Sequence, residues 1–593
     1  DRISLHSCVV RVSATLAIKS LVAVQATVAQ AANVVARGDV DITSGNWTMA
    51  SSYTLEAASM LVGAGAAIHT TNDASQLRLK ADALEVAGSV SARDVHVEAG
   101  ELRLVGDGAI DADGLGYAQS AGSGAGRASN SYGGTGASHG GYGGYVGDAW
   151  TQSSAPHGDV DEPTAYGGGG GGSGTTNNVR QGGSGGGRIK LTVSGVLALD
   201  GSRTRIAANG LAGADGLVQD SVVARDPALN GGGGGSAAER YGGGGGAGGS
   251  VWIVAGDVTG SGAIEAKGGA GGSAGVHQGV EWWGGGGGGG GRIAVHCDGC
   301  APLSSATVVP GGARWGSRAV SAAGGAGGAT PVKPGDGHNP TRPVDGYDPT
   351  SSRHAVGSGG PGTIFGDAAG SRTLVLANWA ASPTDGVVNL AAVSGVDLAV
   401  LYACRTQVTS SLRVGVLHAE SSLVSVQQPL EADELRIVGG NWTLSSHTLR
   451  ATTMSVGAGA ALHAQADGGS LSLSATSLVV AGLVSARYVR IEATDMRLTG
   501  DGTVDADGLG DAQGAGTGAG WASNSYGGTG ASHGGSGGSV SSSAIQATPA
   551  HGDAEQPTAY GAGGGGSGTT GSVRMGGSGG GRVLLTVSGA LAL

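Results

Sequence analysis

The 593-residue chain has a single phenylalanine, Phe365, and its aromatic content is only 4%. A globular core of Leu, Ile and Phe at ordinary density is therefore not available to it. Charged residues make up only 13% and Pro contributes 15 residues, which excludes the charge- and proline-rich composition of a disordered chain. No apolar run reaches 18 residues; in the Val/Ala-rich stretch 9–33, Arg11, Lys19 and Gln25 interrupt at strand spacing. No membrane span is expected. The net charge of −12 and the lack of a basic stripe exclude nucleic acid as a partner. Cysteine is scarce too, with four residues: Cys8, Cys297, Cys300 and Cys404.

What the chain has in quantity is glycine, 124 residues, and repetition. GDGAIDADGLG (106–116) returns as GDGTVDADGLG (500–510), and YGGTGASHGG (132–141) returns as 526–535. The offset is 395 at Asn46/Asn441 and 394 at Arg188/Arg582, so one residue is deleted between the copies. Long-period repetition predicts modules stacked along an axis.

Each copy has two textures. Residues 39–112 read as short strands of alternating apolar and polar residues, separated by Gly, Asp or Asn. Their even spacing predicts the rungs of a β-solenoid, about 20 residues each and about 4.8 Å high. Four such turns fit the block. The second texture is glycine-rich: 131–148, 165–176, 230–250 and 281–295. These stretches run straight into strands (GGGRIKLTV, GGSVWIV, GGGRIAV), which argues against flexible linkers. The expected form is extended glycine backbone with three residues per turn, packed through its amides and covered by single aromatics. Tyr166, Tyr241, Trp282, Trp283 and Tyr560 occupy those edges, as packing covers or as stacking surfaces for sugars.

The fold class expected is all-β: an elongated, internally duplicated parallel β-helix with glycine-rich bundles. Residues 1–38 end a preceding strand-rich segment, 39–320 form the first module, 321–375 a Pro/Gly-rich insertion with return strands, and 376–593 a truncated second copy. The chain begins at Asp1 and stops at Leu593 in mid-repeat, as expected of a piece of a longer protein.

Cys8 and Cys404 are repeat equivalents. The arrangement expected is a link from each repeat's first strand to the CDGC turn of the one before, joining Cys404 to Cys297 or Cys300; a local Cys297–Cys300 bridge is the rival. N-x-T sequons at Asn46 and Asn441 mark N-glycosylation at matching places. With the cysteines they favour an extracellular, secreted or cell-surface location.

Catalytic and metal residues are not predicted, and no cofactor is. Asp107, Asp111 and Asp113 mimic a calcium loop, but the internal frame AIDADG, RIAANG, AIEAKG puts Asn209 and then Lys267 where Asp113 stands. An ammonium group cannot ligate calcium, so these residues are read as turn formers. His157, Asp159, Asp161 and Glu162 are the densest polar cluster, yet Glu162 becomes Gln556 in the second copy. His139 and His533 are read as capping glycine-rich turns.

The combination of YGGTGASHGG, YGGGGGGSGTT, GGSGGGRIKLTVSGVLALDG with RIAANG, and GGPGTIF with TLVLAN resembles glycine-rich β-helical repeat proteins, which are surface and secreted proteins of bacteria and protists. The resemblance implies an extracellular filament, flagellar-hair (mastigoneme-like) or cell-wall component that associates with itself or with other filament subunits. An adhesin or carbohydrate-binding rod is the alternative, and a β-helix polysaccharide lyase or hydrolase a third.

Overall fold

The structure is a computed structural model. It describes residues 1–71, 75–129, 132–146, 154–173, 180–216, 241–274, 283–329, 356–378, 387–389, 395–445, 448–465, 469–523, 527–540, 548–568 and 574–593. Trp282 and most of the Pro-rich insertion lie outside these residues. The chain forms a parallel β-solenoid of about 19 turns in all, divided into two compact units, Asp1–Arg405 and Thr406–Leu593.

In the first unit each full rung contributes three walls. Residues of alternating polarity point alternately inward and outward, so the inward ones form columns along the stack. One wall stacks Leu79, Val97, Leu191, Ile253 and Val295. The next stacks Val40, Met60, Leu84, Leu102, Leu197 and Val258. The third stacks Trp47, Ile68, Val90, Ile110, Ile206, Ile264 and Val320, each at most 1% exposed. These columns merge into one continuous core. Each fully buried side chain of this kind contributes about 1.5–3 kcal/mol.

Register gives the rung length. Pairing of Arg2 with Ser20, Leu21 with Val40, Val40 with Met60, Met60 with Leu84 and Leu84 with Leu102 steps by 18, 19, 20, 24 and 18 residues. The next step, Val97 to Leu191, is 94, because a glycine-rich excursion leaves the rung. The second unit follows closely: Leu412, Leu430, Leu449, Leu473, Ile491 and Leu585 are separated by 18, 19, 24, 18 and 94, and the 20-residue step from Val40 to Met60 is 19 there, from Leu435 to Met454.

Glycine makes the bend between the second and third walls. A Cβ at Gly88 would lie 2.3 Å from the carbonyl oxygens of both Gly63 and Ala66. Its counterpart Gly482 meets Gly457 and Ala460 at the same 2.3 Å.

The frame AIDADG, RIAANG, AIEAKG is one strand and turn repeated up the third wall, as its sequence implies: Ala109, Arg205 and Ala263 are in register. Near the end of the first unit the pattern changes. Thr363–Ala368 pairs parallel to Arg292–Cys297 on one edge but antiparallel to Ser371–Ala377 on the other. Five of its six residues are buried, so both faces are covered and Phe365 is enclosed.

The two copies differ at one buried point. Trp47 donates its indole N–H to Gln30 Oε1 at 2.8 Å. Gln30 pairs with Met49, and the matching partner of Leu444 is Val426, an apolar side chain. The Trp442 indole consequently has no acceptor among the described residues.

Glycines of the excursions respond to a methyl group according to what surrounds them. Gly288→Ala, whose Cβ would sit 2.0 Å from the Gly246 carbonyl oxygen, is expected to destabilise the first unit by about 3 kcal/mol. Gly580→Ala, with no described atom within 4 Å, should change stability by less than about 0.5 kcal/mol. Denaturant unfolding of both variants, followed by far-UV circular dichroism, checks the contrast; equal shifts would contradict it.

Candidate functional site

All the excursions of the first unit leave at the same corner. They depart after the third wall, near residues 113, 209, 267 and 322, and re-enter the first wall at Arg188, Ser250, Arg292 and Thr363. Side-chain ladders hold the exits in register. Asp113 Oδ1 accepts the Asn209 N–H at 2.6 Å, and Asn209 Oδ1 accepts the Lys267 N–H at 2.7 Å. Asp107 pairs with Arg203 at 3.6 Å, and Asp111 and Asp113 face Arg205. These carboxylates are structural partners of arginine and of backbone.

Beyond the corner the excursions pack as backbone against backbone, and residues 284–291 form the centre. The N–H groups of Gly285, Gly288 and Gly291 donate to Gly272, Gly269 and Ala266. Those of Gly286 and Gly289 donate to Gly134 and Ala137, and those of Gly287 and Gly290 to Gly357 and Gly360. Their carbonyls accept with the same three-residue period from three further segments. Gly328 and Gly325 donate to Gly285 and Gly288, Gly245 and Gly248 to Gly286 and Gly289, and Gly144 and Gly141 to Gly287 and Gly290. All these distances lie between 2.6 and 3.1 Å.

One segment is thus surrounded by six. Three run parallel to it (134–137, 245–248, 357–360) and three antiparallel (266–272, 325–328, 141–144), as the rise or fall of the partner numbers shows. Three residues per turn point successive amides 120° apart, so every peptide group finds a neighbour. Residues 284–291 are buried throughout except for their backbone bonding, and side chains are sterically excluded: the Cβ positions at Gly285–Gly291 fall 1.9–2.2 Å from a neighbouring carbonyl oxygen.

The second unit keeps the first part of this scheme. Gly561 donates to Gly580, Gly564 to Gly577 and Gly565 to Thr529, as Gly167 does to Gly186, Gly170 to Gly183 and Gly171 to Thr135. Ser567 bridges Arg574 as Ser173 bridges Arg180.

Aromatic residues line the rim. In the first unit the Arg93 guanidinium lies over Tyr166 at 4.5 Å and over Tyr117 at 4.9 Å, and Arg188 covers Tyr166 at 5.2 Å while pairing with Asp94. Tyr117 and Tyr166 meet edge to face at 5.7 Å. In the second unit Arg487 covers Tyr560 at 4.3 Å and pairs with Asp511, whereas Arg582 covers Tyr488 at 4.6 Å. Asp511 stands at the position of Tyr117, and Tyr488 at that of Asp94. The two arginines are constant and their partners have exchanged, ring for carboxylate. Trp283 packs edge to face on Tyr132 at 5.6 Å, and the Tyr241 carbonyl accepts the Ser173 hydroxyl at 2.9 Å.

The polar cluster resolves into two parts. Asp159 Oδ1 accepts the N–H groups of Asp161 and Glu162 at 2.8 and 2.9 Å; Asp553 does the same for Glu555 and Gln556, which holds its pKa down. The change of Glu162 to Gln556 is harmless because only backbone N–H is used there. Asp161 also meets Arg372 at 3.0 Å and His296 at 3.4 Å. His157 turns inward onto His139, with ring centroids 4.9 Å apart.

The cysteines require a correction. Cys297 and Cys300 are bonded to each other, with Cα atoms 5.5 Å apart, so the expected link from Cys404 to the CDGC turn does not form. Only Asp298 and Gly299 separate the two cysteines, and the local bridge, the rival pairing, is the one present. Cys404 is buried and Cys8 half-buried. Asp257 lies within 4.8 Å of Cys297 and Cys300, whose sulfurs are engaged in the bridge.

Asn46 and Asn441 both follow a left-handed glycine, Gly45 (φ 105°) and Gly440 (φ 97°), and precede a fully buried tryptophan. Alternation turns Asn outward where Trp turns inward. Asn441 is exposed and Asn46 half-buried. The next rung offers only Ala67 or Ala461 beside them.

Shallow grooves run over an alanine column in each unit, with cavity volumes near 440 Å³ in the first and 390 Å³ in the second. Their rims have diverged: Glu56, Lys80 and Asp82 are replaced by Arg450, Ser474 and Thr476.

The exchange at the rim predicts a tolerance. Tyr117→Asp should leave stability within about 1 kcal/mol, because Arg93 gains the carboxylate that Arg487 already uses, whereas Tyr117→Lys adds a repelling cation and should cost about 1–3 kcal/mol. Thermal unfolding of the two variants side by side measures this; equal losses would contradict it.

No protein-family model matches the chain, and no curated protein or solved structure matches it.

Proposed function

We propose that this chain is a structural subunit of an extracellular filament, flagellar hair or cell-surface assembly, and that it works by stiffness and lateral contact. The observation that carries this reading is the backbone-only bundle fused to one corner of the solenoid. Dozens of buried peptide groups bond to one another there with no side chain that could do chemistry. The solenoid adds length by adding rungs, and the bundle braces successive rungs from outside, because each excursion bonds to several others. A parallel stack of this kind is a rigid element, and its duplication is a means of extension.

Three further features support the reading. The Cys297–Cys300 bridge and the two outward sequons suit an oxidising, secretory route. Of the carboxylates at the first groove, Glu56 and Asp82 are lost in the second copy and only Glu98 returns, as Glu492, so no carboxylate pair is kept for a polysaccharide hydrolase. At the rim, Tyr117, Tyr166 and Tyr560 each have an arginine over the ring, where a sugar would stack.

An adhesin remains the second reading because Trp521 is 63% exposed and Tyr132 43%. Electron microscopy of native material separates the two. Filaments with an axial repeat matching the two-copy module are expected, and Trp521→Ala with Tyr132→Ala should leave them intact. Isolated single-molecule particles whose glycan binding is lost in that double variant would overturn the structural reading in favour of adhesion.

A further inference from the structure

A buried histidine and a half-buried one meet where the polar loop 154–165 joins the glycine bundle. His139 is fully buried. Its Nδ1 lies 2.7 Å from the Gly248 carbonyl oxygen, which fixes the proton on that nitrogen and leaves Nε2 without a partner. His157 stacks against it, and neither of its ring nitrogens makes a well-formed hydrogen bond. The backbone joins the two as well, through the His157 N–H and the His139 carbonyl at 2.8 Å.

The segment 241–249 contributes only the Gly248 and Gly249 backbone. Gly124 and Gly158 lie close as well, where Cβ atoms would press on His157 and His139, and the Tyr166 backbone faces His157. The re-entering strand contributes Arg292, which donates Nε–H to the His157 carbonyl at 2.9 Å and Nη1 to the Thr363 hydroxyl at 3.1 Å. Asp159 acts on Arg292 rather than on the rings. Both rings therefore face a buried guanidinium and no carboxylate. That surrounding also disfavours a divalent metal ion between them.

We propose that the His139–His157 pair is an acid-sensitive latch that clamps loop 154–165 onto the glycine bundle at neutral pH and releases it on acidification. The pair is retained in the second copy as His533–His551, with ring centroids 5.1 Å apart and the same backbone bond between them, although much of the surrounding polar surface has changed.

The direction follows from linkage. Burial lowers the pKa of His139 well below the ordinary histidine value, reinforced by His157 and Arg292; burial lowers that of His157 as well. Arg292 is itself pushed down to about 10 by burial. With both rings neutral in the closed state and titrating near 6.5 when released, the open state binds more protons below that pH. The latch is fully engaged above about pH 6.5 and weakens as the pH falls below it. Release frees the loop that carries Asp161, and with it the contacts of Asp161 to Arg372 and His296.

Hydrogen exchange of the full chain, corrected for intrinsic rates, tests this. Protection of 132–146, 154–165 and 241–249 should fall at least tenfold between pH 7.5 and 5, while that of the solenoid strands Gln76–Val86 stays level. The double variant His139→Gln, His157→Gln, which cannot take up a proton at either position, should remove most of the pH dependence. Unchanged protection at pH 5 in the wild type, or an equal fall in the double variant, would overturn the proposal. Should that variant fail to fold, imidazole NMR of the histidine-labelled wild type serves: rings that protonate near pH 6.5 while the bundle stays protected would equally refute it.

Discussion

The contact on which the structure depends is the approach of one peptide group to another without a Cβ between them. At Gly285–Gly291 the place of a methyl group is already taken by a carbonyl oxygen about 2 Å away. Closeness of that order lets each N–H of the central segment bond to one of three neighbours in turn, and each carbonyl accept from three others. Glycine loses more conformational freedom on ordering than any other residue, so such a bundle is stable only where something fixes its strands beforehand. The solenoid supplies this. Each excursion is tethered at both ends to consecutive rungs, at one corner, in a register set by the Val, Ile and Leu columns and by the Asp113–Asn209–Lys267 ladder. Core packing thereby sets the phase in which the backbone bonds form.

Much of this was legible in the sequence because it is periodic. Alternation in 39–112 gives strands, their spacing gives rungs of about 20 residues, and the frame shared by AIDADG, RIAANG and AIEAKG places three strands in one column. Glycine runs that feed directly into strands point to ordered backbone. What periodicity does not carry is the choice among neighbours. Nothing in the string GGGGGGGG says that residues 284–291 run parallel to 245–248 and antiparallel to 266–272, since glycines are interchangeable as letters. Periodicity is no better guide at the CDGC turn: the repeat equivalence of Cys8 and Cys404 favours a link between rungs over the local bridge, yet the local Cys297–Cys300 bridge is the one present. The inward turn of His157 was hidden because its loop neighbours Asp159 and Asp161 point outward and dominate the local composition.

Comparison of the two copies works as a record of substitutions made in one fold. Groove rims drift freely, from Glu56 to Arg450 and from Asp82 to Thr476, whereas the alanines beneath them, Ala57 and Ala81, persist as Ala451 and Ala475. At the rim the arginines persist and their partners trade places: Tyr117 with Asp94 in one copy becomes Asp511 with Tyr488 in the other. A partly buried guanidinium needs either an anion or a π-face, and each copy gives each arginine one. Two compensated changes are more informative than one retained residue, because they show that the requirement is electrostatic cover of Arg93 and Arg188 rather than any particular side chain beside them. Had these rings formed a conserved sugar platform, replacing Tyr117 by a carboxylate would have broken it. Arg93, Arg188 and the histidine pair are held constant, as Arg487, Arg582 and His533 with His551, while the groups beside them change.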